Sequence, residues 1–229
     1  MRALIVLLLL LAGLALAADR VGEAVAEDRV AQLVAERGGL SGEPAVEIGG
    51  FPFLTQALGG RYEDVRISLA GADLGQPEGT SADVSLQGVQ VALSDVLAGS
   101  VQQVPVERVD GTVALSYELL SEELGQGTAL SREGDRLRVE TTAEIAGQAV
   151  PLTATGTVRL DDGALVVDVE DATTAGVDAP DFFVDQVSDA LDLRYGIPPL
   201  PFGLQVTGVT ADGDGVRVAV GATDTVLGA

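Results

Sequence analysis

Leu137-Arg138-Val139-Glu140-Thr141-Thr142-Ala143-Glu144-Ile145 and Val150-Pro151-Leu152-Thr153-Ala154-Thr155-Gly156-Thr157-Val158-Arg159-Leu160 decide the fold. In both stretches apolar or small side chains fall on every second residue, the period at which a strand sends neighbours to opposite faces. Asp161-Asp162-Gly163 supplies the residue types of a tight hairpin turn, and the alternation resumes beyond it at Leu165, Val167 and Val169. One face is apolar and the other wet, which predicts an antiparallel sheet with solvent on one side. Working outward, Val65, Ile67 and Leu69 alternate with Arg66 and Ser68. Gly88 shifts the phase between Val84, Leu86 and Val89, Val91, Leu93, the mark of a bulge or bend. The chain closes with a hairpin: Leu204, Val206 and Val209, the turn Asp212-Gly213-Asp214-Gly215, then Val216, Val218 and Val220.

A short phrase returns. Val91-Ala92-Leu93-Ser94-Asp95-Val96-Leu97 reappears as Val113-Ala114-Leu115-Ser116-Tyr117-Glu118-Leu119, each a strand leading to a Ser that can cap a helical turn. Such units predict a meander whose rim carries small helices; coincidence in a Val/Ala/Leu-rich chain is the competing reading. Three longer helices are expected. From Asp19 to Arg37, Val21, Ala24, Val25, Val30, Leu33 and Val34 recur at helical spacing, and Gly38-Gly39 stops the pattern. A second helix runs from about Pro52 to Leu58, where Gly59-Gly60 ends it and separates a membrane-proximal part from the body. Pro180 opens a third through Phe182, Phe183, Val187, Ala190, Leu191 and Leu193, followed by a stiff crossing at Ile197-Pro198-Pro199-Leu200-Pro201. The expected class is α+β: a long curved antiparallel meander, an incomplete barrel or gutter, around helices.

Arg2 precedes an unbroken apolar run from Ala3 to Ala18, closed by Asp19-Arg20. This is an export signal. Ala15-Leu16-Ala17 fits small-x-small cleavage of a signal peptide, whereas a retained anchor would span roughly 24 Å as a helix, slightly short of a hydrocarbon core of about 30 Å. The run and its preceding Arg2 orient the body outside the cytoplasmic membrane. The chain thus divides into residues 1–18 as signal peptide or anchor, 19–224 as a single α+β domain, and 225–229 as a tail. With no Cys, the fold stands without disulfides, and a lipoprotein anchor is excluded.

Missing residue types narrow the chemistry. The chain has no His, Cys, Lys, Asn or Trp, and all 13 basic residues are Arg. That removes Ser-His-Asp and Cys-His nucleophiles, Schiff bases, the P-loop Lys and zinc sites of His or Cys. A net charge of −22 opposes phosphate backbones, so no nucleic-acid partner is expected, and membrane contact has to come from apolar insertion. Paired carboxylates are the remaining catalytic option, but Asp161-Asp162-Gly163 and Asp212-Gly213-Asp214-Gly215 sit where hairpin turns belong. The second phrase also lacks the distal Glu of a calcium loop. No catalytic residue, metal or cofactor is expected.

The aromatics point elsewhere. Five Phe cluster at three places: Phe51 and Phe53 in Gly50-Phe51-Pro52-Phe53-Leu54-Thr55-Gln56, Phe182 with Phe183, and Phe202 in Leu200-Pro201-Phe202-Gly203-Leu204. The apolar sheet face either packs on the helices as ordinary core or, with small residues such as Ala143, Ala154 and Gly156, leaves room for acyl chains.

The Gly50–Gln56 phrase, the following Gly60-Arg61 and strand, the paired Val-x-Leu-Ser turns and the Ile197–Leu204 segment resemble the LmeA-like phospholipid-binding family of actinobacterial envelopes, over about Asp19 to Thr223. The resemblance implies an exported or membrane-anchored, non-enzymatic phospholipid binder supporting envelope lipid or lipoglycan metabolism or lipid transfer. Its place would be the periplasm or cell-wall space at the outer leaflet of the cytoplasmic membrane, with glycolipid-biosynthesis enzymes as partners. It also implies a tubular-lipid-binding type of sheet. The matching apolar positions become candidate lipid contacts: Phe51, Phe53, Leu54, Leu58, Phe182, Phe183, Leu200, Phe202 and Leu204. Arg61 and Arg66 are candidate headgroup contacts, with surface ion pairs as the alternative. A scaffold or adhesion protein without lipid is the competing function.

Overall fold

The computed structural model describes residues 2–123, 128–134, 136–145, 148–161, 164–174, 177–178, 195–196, 200 and 203–228. The chain is α+β, with a long N-terminal helix and two antiparallel sheets, and among the described residues neither sheet closes into a barrel. Helix α1 (Arg2–Gly38) comes first, then β1 (Ala45–Gly49), α2 (Phe53–Gly59), β2 (Arg61–Ala70), α3 (Gly71–Leu74) and β3 (Ser81–Gln90). Next follow α4 (Leu93–Ala98), β4 (Gln103–Ser116), α5 (Tyr117–Glu123), β5 (Ala129–Glu133), β6 (Arg136–Ile145), β7 (Gln148–Asp161) and β8 (Ala164–Thr174). The chain ends with β9 (Val177–Asp178), β10 (Tyr195–Gly196), β11 (Gln205–Ala211) and β12 (Gly215–Gly228). The first sheet has the order β1-β2-β3-β4-β12-β11; the second has β10-β8-β7-β6-β5, with β9 on β8.

The period-two stretches become the centre of the second sheet. Leu137 pairs with Gly156 and Val139 with Ala154, so the predicted apolar face is assembled across strands, and Leu137, Leu152 and Ala154 are buried. The β7–β8 hairpin closes with Asp161 opposite Ala164, although Asp162 and Gly163 themselves lie outside the described residues. The Asp212 turn is as expected: the Asp212 N–H donates to the Gly215 carbonyl at 2.8 Å, and Ala211 pairs with Val216.

The rim of small helices recurs more often than the repeat suggested, because α2, α3, α4 and α5 follow β1, β2, β3 and β4 in turn. Three of them end on a left-handed glycine, Gly60, Gly75 and Gly99, which lets the chain reverse without a Cβ clash. The capping Ser is right only once. Ser116 Oγ accepts the Leu119 N–H at 3.2 Å, whereas α4 starts two residues early, with Ala92 rather than Ser94 at its cap. Gly88 sits inside β3 at φ 65° beside buried Val89, the local distortion its phase shift predicted.

Two readings of α1 are corrected. The apolar run and the amphipathic stretch are one continuous helix, since nothing between Ala18 and Asp19 breaks the backbone pattern. Its packing stripe is also not the valine one: Val21 and Val25 are 64% and 52% exposed, while Asp19, Ala26 and Ala31 are buried. The predicted helix from Pro180 and the Ile197–Pro199 crossing lie outside the described residues. Strand β12 runs to Gly228, through the stretch set apart as a tail.

The chain forms two compact units. One comprises residues up to Leu69, Asp83–Asp110 and those from Ala222; the other comprises the described residues of Ala70–Ala82 and Gly111–Gly221. The first has α1, α2, α4 and the Phe53–Tyr62 core. In the second, Thr80 and Ser116 are both buried and hydrogen-bonded at 3.2 Å, and Gly215 lies so close to the Leu115 carbonyl that any Cβ would collide with it.

Candidate functional site

The Gly50–Gln56 phrase folds into a fastening between α1 and the first sheet. Gly50 has φ 95°, and a Cβ there would lie 2.6 Å from the Gln56 amide nitrogen, so a side chain is excluded twice over. The Phe51–Pro52 peptide is cis. Pro52 stands at the N-cap of α2 and has no side-chain acceptor to offer. Asp19 of α1 provides it instead: its carboxylate accepts the Phe53 N–H at 3.2 Å and the Leu54 N–H at 2.8 Å, although they lie 34 and 35 residues away. Negative charge at a helix start is favourable, and here one buried carboxylate satisfies two otherwise orphaned donors. Gln56 completes the clamp by donating to the Gly49 carbonyl at 3.1 Å and accepting the Glu63 N–H at 2.8 Å. Glu27, two turns beyond Asp19, accepts the Ile48 N–H at 2.8 Å.

Phe53 is fully buried, its ring 6.2 Å from that of Tyr62 and its edge against Gly22 of α1. Phe53 is therefore core rather than an exposed lipid contact, and a Phe53→Asp carboxylate would be buried there without a partner. The Tyr62 hydroxyl is buried with no hydrogen-bond partner among the described residues, and burial raises its pKa.

Around this core the remaining apolar residues of the phrase, and Leu58 just beyond it, face outward. Phe51 is 63% exposed and Leu58 91%, and Leu54 lies at 37% with its Cδ2 against Gly22. The Arg20 guanidinium lies 5.2 Å over the Phe51 ring. Phe51, beside Arg20, and Leu54, beside Gly22, thus stand where the bare part of α1, Leu4 to Leu16, meets the packed part, and Leu58 follows one helical turn after Leu54 on α2.

The other candidates are placed less closely. Phe182, Phe183 and Phe202 lie outside the described residues, and Leu200 and Leu204 are half-buried. Arg61 pairs with Glu107 at 2.6 Å and Arg66 with Asp64 at 3.0 Å, so a phosphate would have to displace a carboxylate at either one. Glu107 also lies against Gly88, where any Cβ would collide with its carboxylate.

The sequence reading missed a polar cavity in the second unit, between Arg136, Arg138, Thr153, Thr155 and Asp171. Arg136 holds Glu170 and Asp171, each at 2.9 Å, and Arg138 holds Glu133 and Glu140 at 3.1 and 2.9 Å. Hydrogen bonds to Glu140 and Glu133 raise the Arg138 pKa. Each cation carries two carboxylates, which leaves no net positive field for an anion; the signal in the sequence was the Arg-x-Arg alternation on β6. In the Asp212 turn, the Gly213 N–H and then Arg217 hold the Asp212 carboxyl below the usual range, so it stays ionised and unsuited to general-acid work at neutral pH.

No curated protein and no solved structure matches the chain at a significant level. Residues 17–221 do match one family model, that of LmeA-like phospholipid-binding proteins, as the phrase around Phe53 and the Ile197–Leu204 segment led one to expect, and the chain belongs to this family.

Proposed function

We propose that this protein is exported, stays at the outer leaflet of the cytoplasmic membrane, and binds phospholipid through apolar side chains in support of envelope lipid or lipoglycan metabolism or lipid transfer. Membership of a phospholipid-binding family is the observation that carries this reading. Helix α1 supports the location: it is long and apolar enough to cross a membrane, and every residue from Arg2 to Ala18 is exposed. In this reading residues 1–18 are the signal or anchor and 19–224 the lipid-binding part. Phe51, Leu54, Leu58, Leu200 and Leu204, with Phe182, Phe183 and Phe202, contact acyl chains, and Phe53 supports them from the core. Envelope glycolipid-biosynthesis enzymes are the fitting partners.

The role is one of binding rather than catalysis. Each buried methylene of an acyl chain contributes about 0.8 kcal/mol, enough for part of one chain to offset the ordering cost of its site. No headgroup charge is needed, which suits a chain of net charge −22. Native mass spectrometry of the full chain purified from its own envelope tests this. Phospholipid adducts that survive high salt are the expected result. A spectrum of bare protein only would sink the reading.

A further inference from the structure

Helix α1 sets a ruler along the first unit. If Ala3–Ala18 occupies the hydrocarbon, each later residue lies about 1.5 Å further along the axis, and the headgroup layer beyond is roughly 5–7 Å deep. Arg20, under which the Phe51 ring lies, is then at about 3 Å, and Gly22, which touches Leu54, at about 6 Å. Phe51 and Leu54 therefore fall within the headgroup layer. Leu58 is one helical turn beyond Leu54 on the same face of α2 and is the most exposed large apolar side chain of the chain's described residues. Val21, also exposed, adds to the same level of α1.

We infer that Phe51, Leu54 and Leu58 form a collar that inserts into the bilayer interface beside α1, fixing the body against the membrane rather than leaving it on a free tether. This rests on the anchored reading proposed above. A bilayer is the occupant because the patch is continuous with the bare apolar helix, because the Asp19 carboxylate locks α2 to that helix, and because an aromatic ring under an Arg suits the boundary between acyl chain and phosphate. The net charge of −22 gives no electrostatic attraction to an anionic surface, so apolar insertion has to supply the contact.

The chain has no Trp, so single substitutions report one position each. Full-length Phe51→Trp and Leu58→Trp would be reconstituted into phosphatidylcholine vesicles with lipids brominated near the carbonyl end of the acyl chain. Leu97→Trp is the control: α4 packs beside Arg29, Leu33 and Arg37, and Leu33 lies roughly 22 Å beyond Ala18. Blue-shifted emission, mostly quenched by the brominated lipid at positions 51 and 58 and unquenched at 97, is the expected result. Water-like, unquenched emission at 51 and 58 in a chain that floats with the vesicles overturns the collar alone. Blue-shifted but unquenched emission overturns it in favour of a protein cover such as a second copy. A full chain that does not float with the vesicles overturns both the collar and the anchor.

Discussion

Two halves of one helix behave oppositely. Residues 2–18 of α1 are almost entirely apolar and every one is exposed; residues 19–38 carry most of the helix's charges and contain its three buried residues, Asp19, Ala26 and Ala31. Burial here follows the partners available rather than hydropathy. The second half is held by polar contacts that reach across the fold: Asp19 to the α2 N-terminus, Glu27 to Ile48 on β1, and Arg37 to the Gly99 carbonyl at 3.0 Å. The first half has no such contact among the described residues, and a bilayer is the environment that suits it. The contrast separates a helix segment that builds the body from one that, in the proposed reading, positions it.

The largest expected effect comes from the packing that joins the second half to the sheet. Phe53→Ala empties a fully buried site between Tyr62 and Gly22, and large-to-small changes of this kind cost about 3–5 kcal/mol. Denaturant titration followed by circular dichroism measures it. A loss below about 1 kcal/mol would mean that the site collapses freely and that Phe53 is not what fastens α1.

Asp19→Ala comes next. It leaves the Phe53 and Leu54 N–H groups without their acceptor, and hydrogen bonds to charged groups are worth about 1.5–3 kcal/mol, so a net loss of about 2–3 kcal/mol is expected. Asp19→Asn keeps one acceptor oxygen and should recover part of it. Equal losses in both variants would show that the charge at the start of α2, not the hydrogen-bond geometry, does the holding.

How much of this was legible in the sequence depends on the kind of information involved. Strand alternation is local, so Leu137–Ile145 and Val150–Leu160 announced their sheet, and the left-handed glycine after α2 was visible as Gly59-Gly60. The stripe of α1 was misread because Val21 and Val25 look like core, while the true stripe starts with a carboxylate whose partners lie more than thirty residues away. Nothing near Asp19 in the chain reveals that Pro52 leaves a helix start uncapped. The same reasoning explains Phe53: clustering with Phe51 marked the phrase as special, but only the Tyr62 contact shows that one ring is core and the other is surface. The split into two sheets was also invisible, because alternation gives faces and not strand order.

A smaller effect, of opposite sign, probes the same core. Tyr62→Phe removes a buried hydroxyl that has no partner among the described residues, which should stabilise the body by about 1 kcal/mol. Burial raises the Tyr62 pKa, so the stabilising protonated form is fully present below the ordinary value of 10.0, and stability falls as pH rises through the higher folded value. The alkaline fall should be shallower in Tyr62→Phe. An unchanged alkaline limb would assign that loss to Tyr117, whose pKa burial also raises.

The smallest expected effect belongs to the bare half of α1. Leu8 is 58% exposed, and the residues around it are exposed as well, so its truncation removes no packing from the body. Ala is at least as good a helix former as Leu, and the local backbone gains nothing from the longer side chain. Leu8→Ala in the detergent-solubilised chain should therefore shift the unfolding free energy of the sheets by less than about 0.5 kcal/mol, the ordinary range for surface changes. The same substitution at buried Leu137 should cost about 2–5 kcal/mol, which gives the comparison its scale. A Leu8→Ala loss that approaches the Leu137→Ala loss would mean that the first half of α1 packs on the body after all, and the division of the helix into a builder and a positioner would fall.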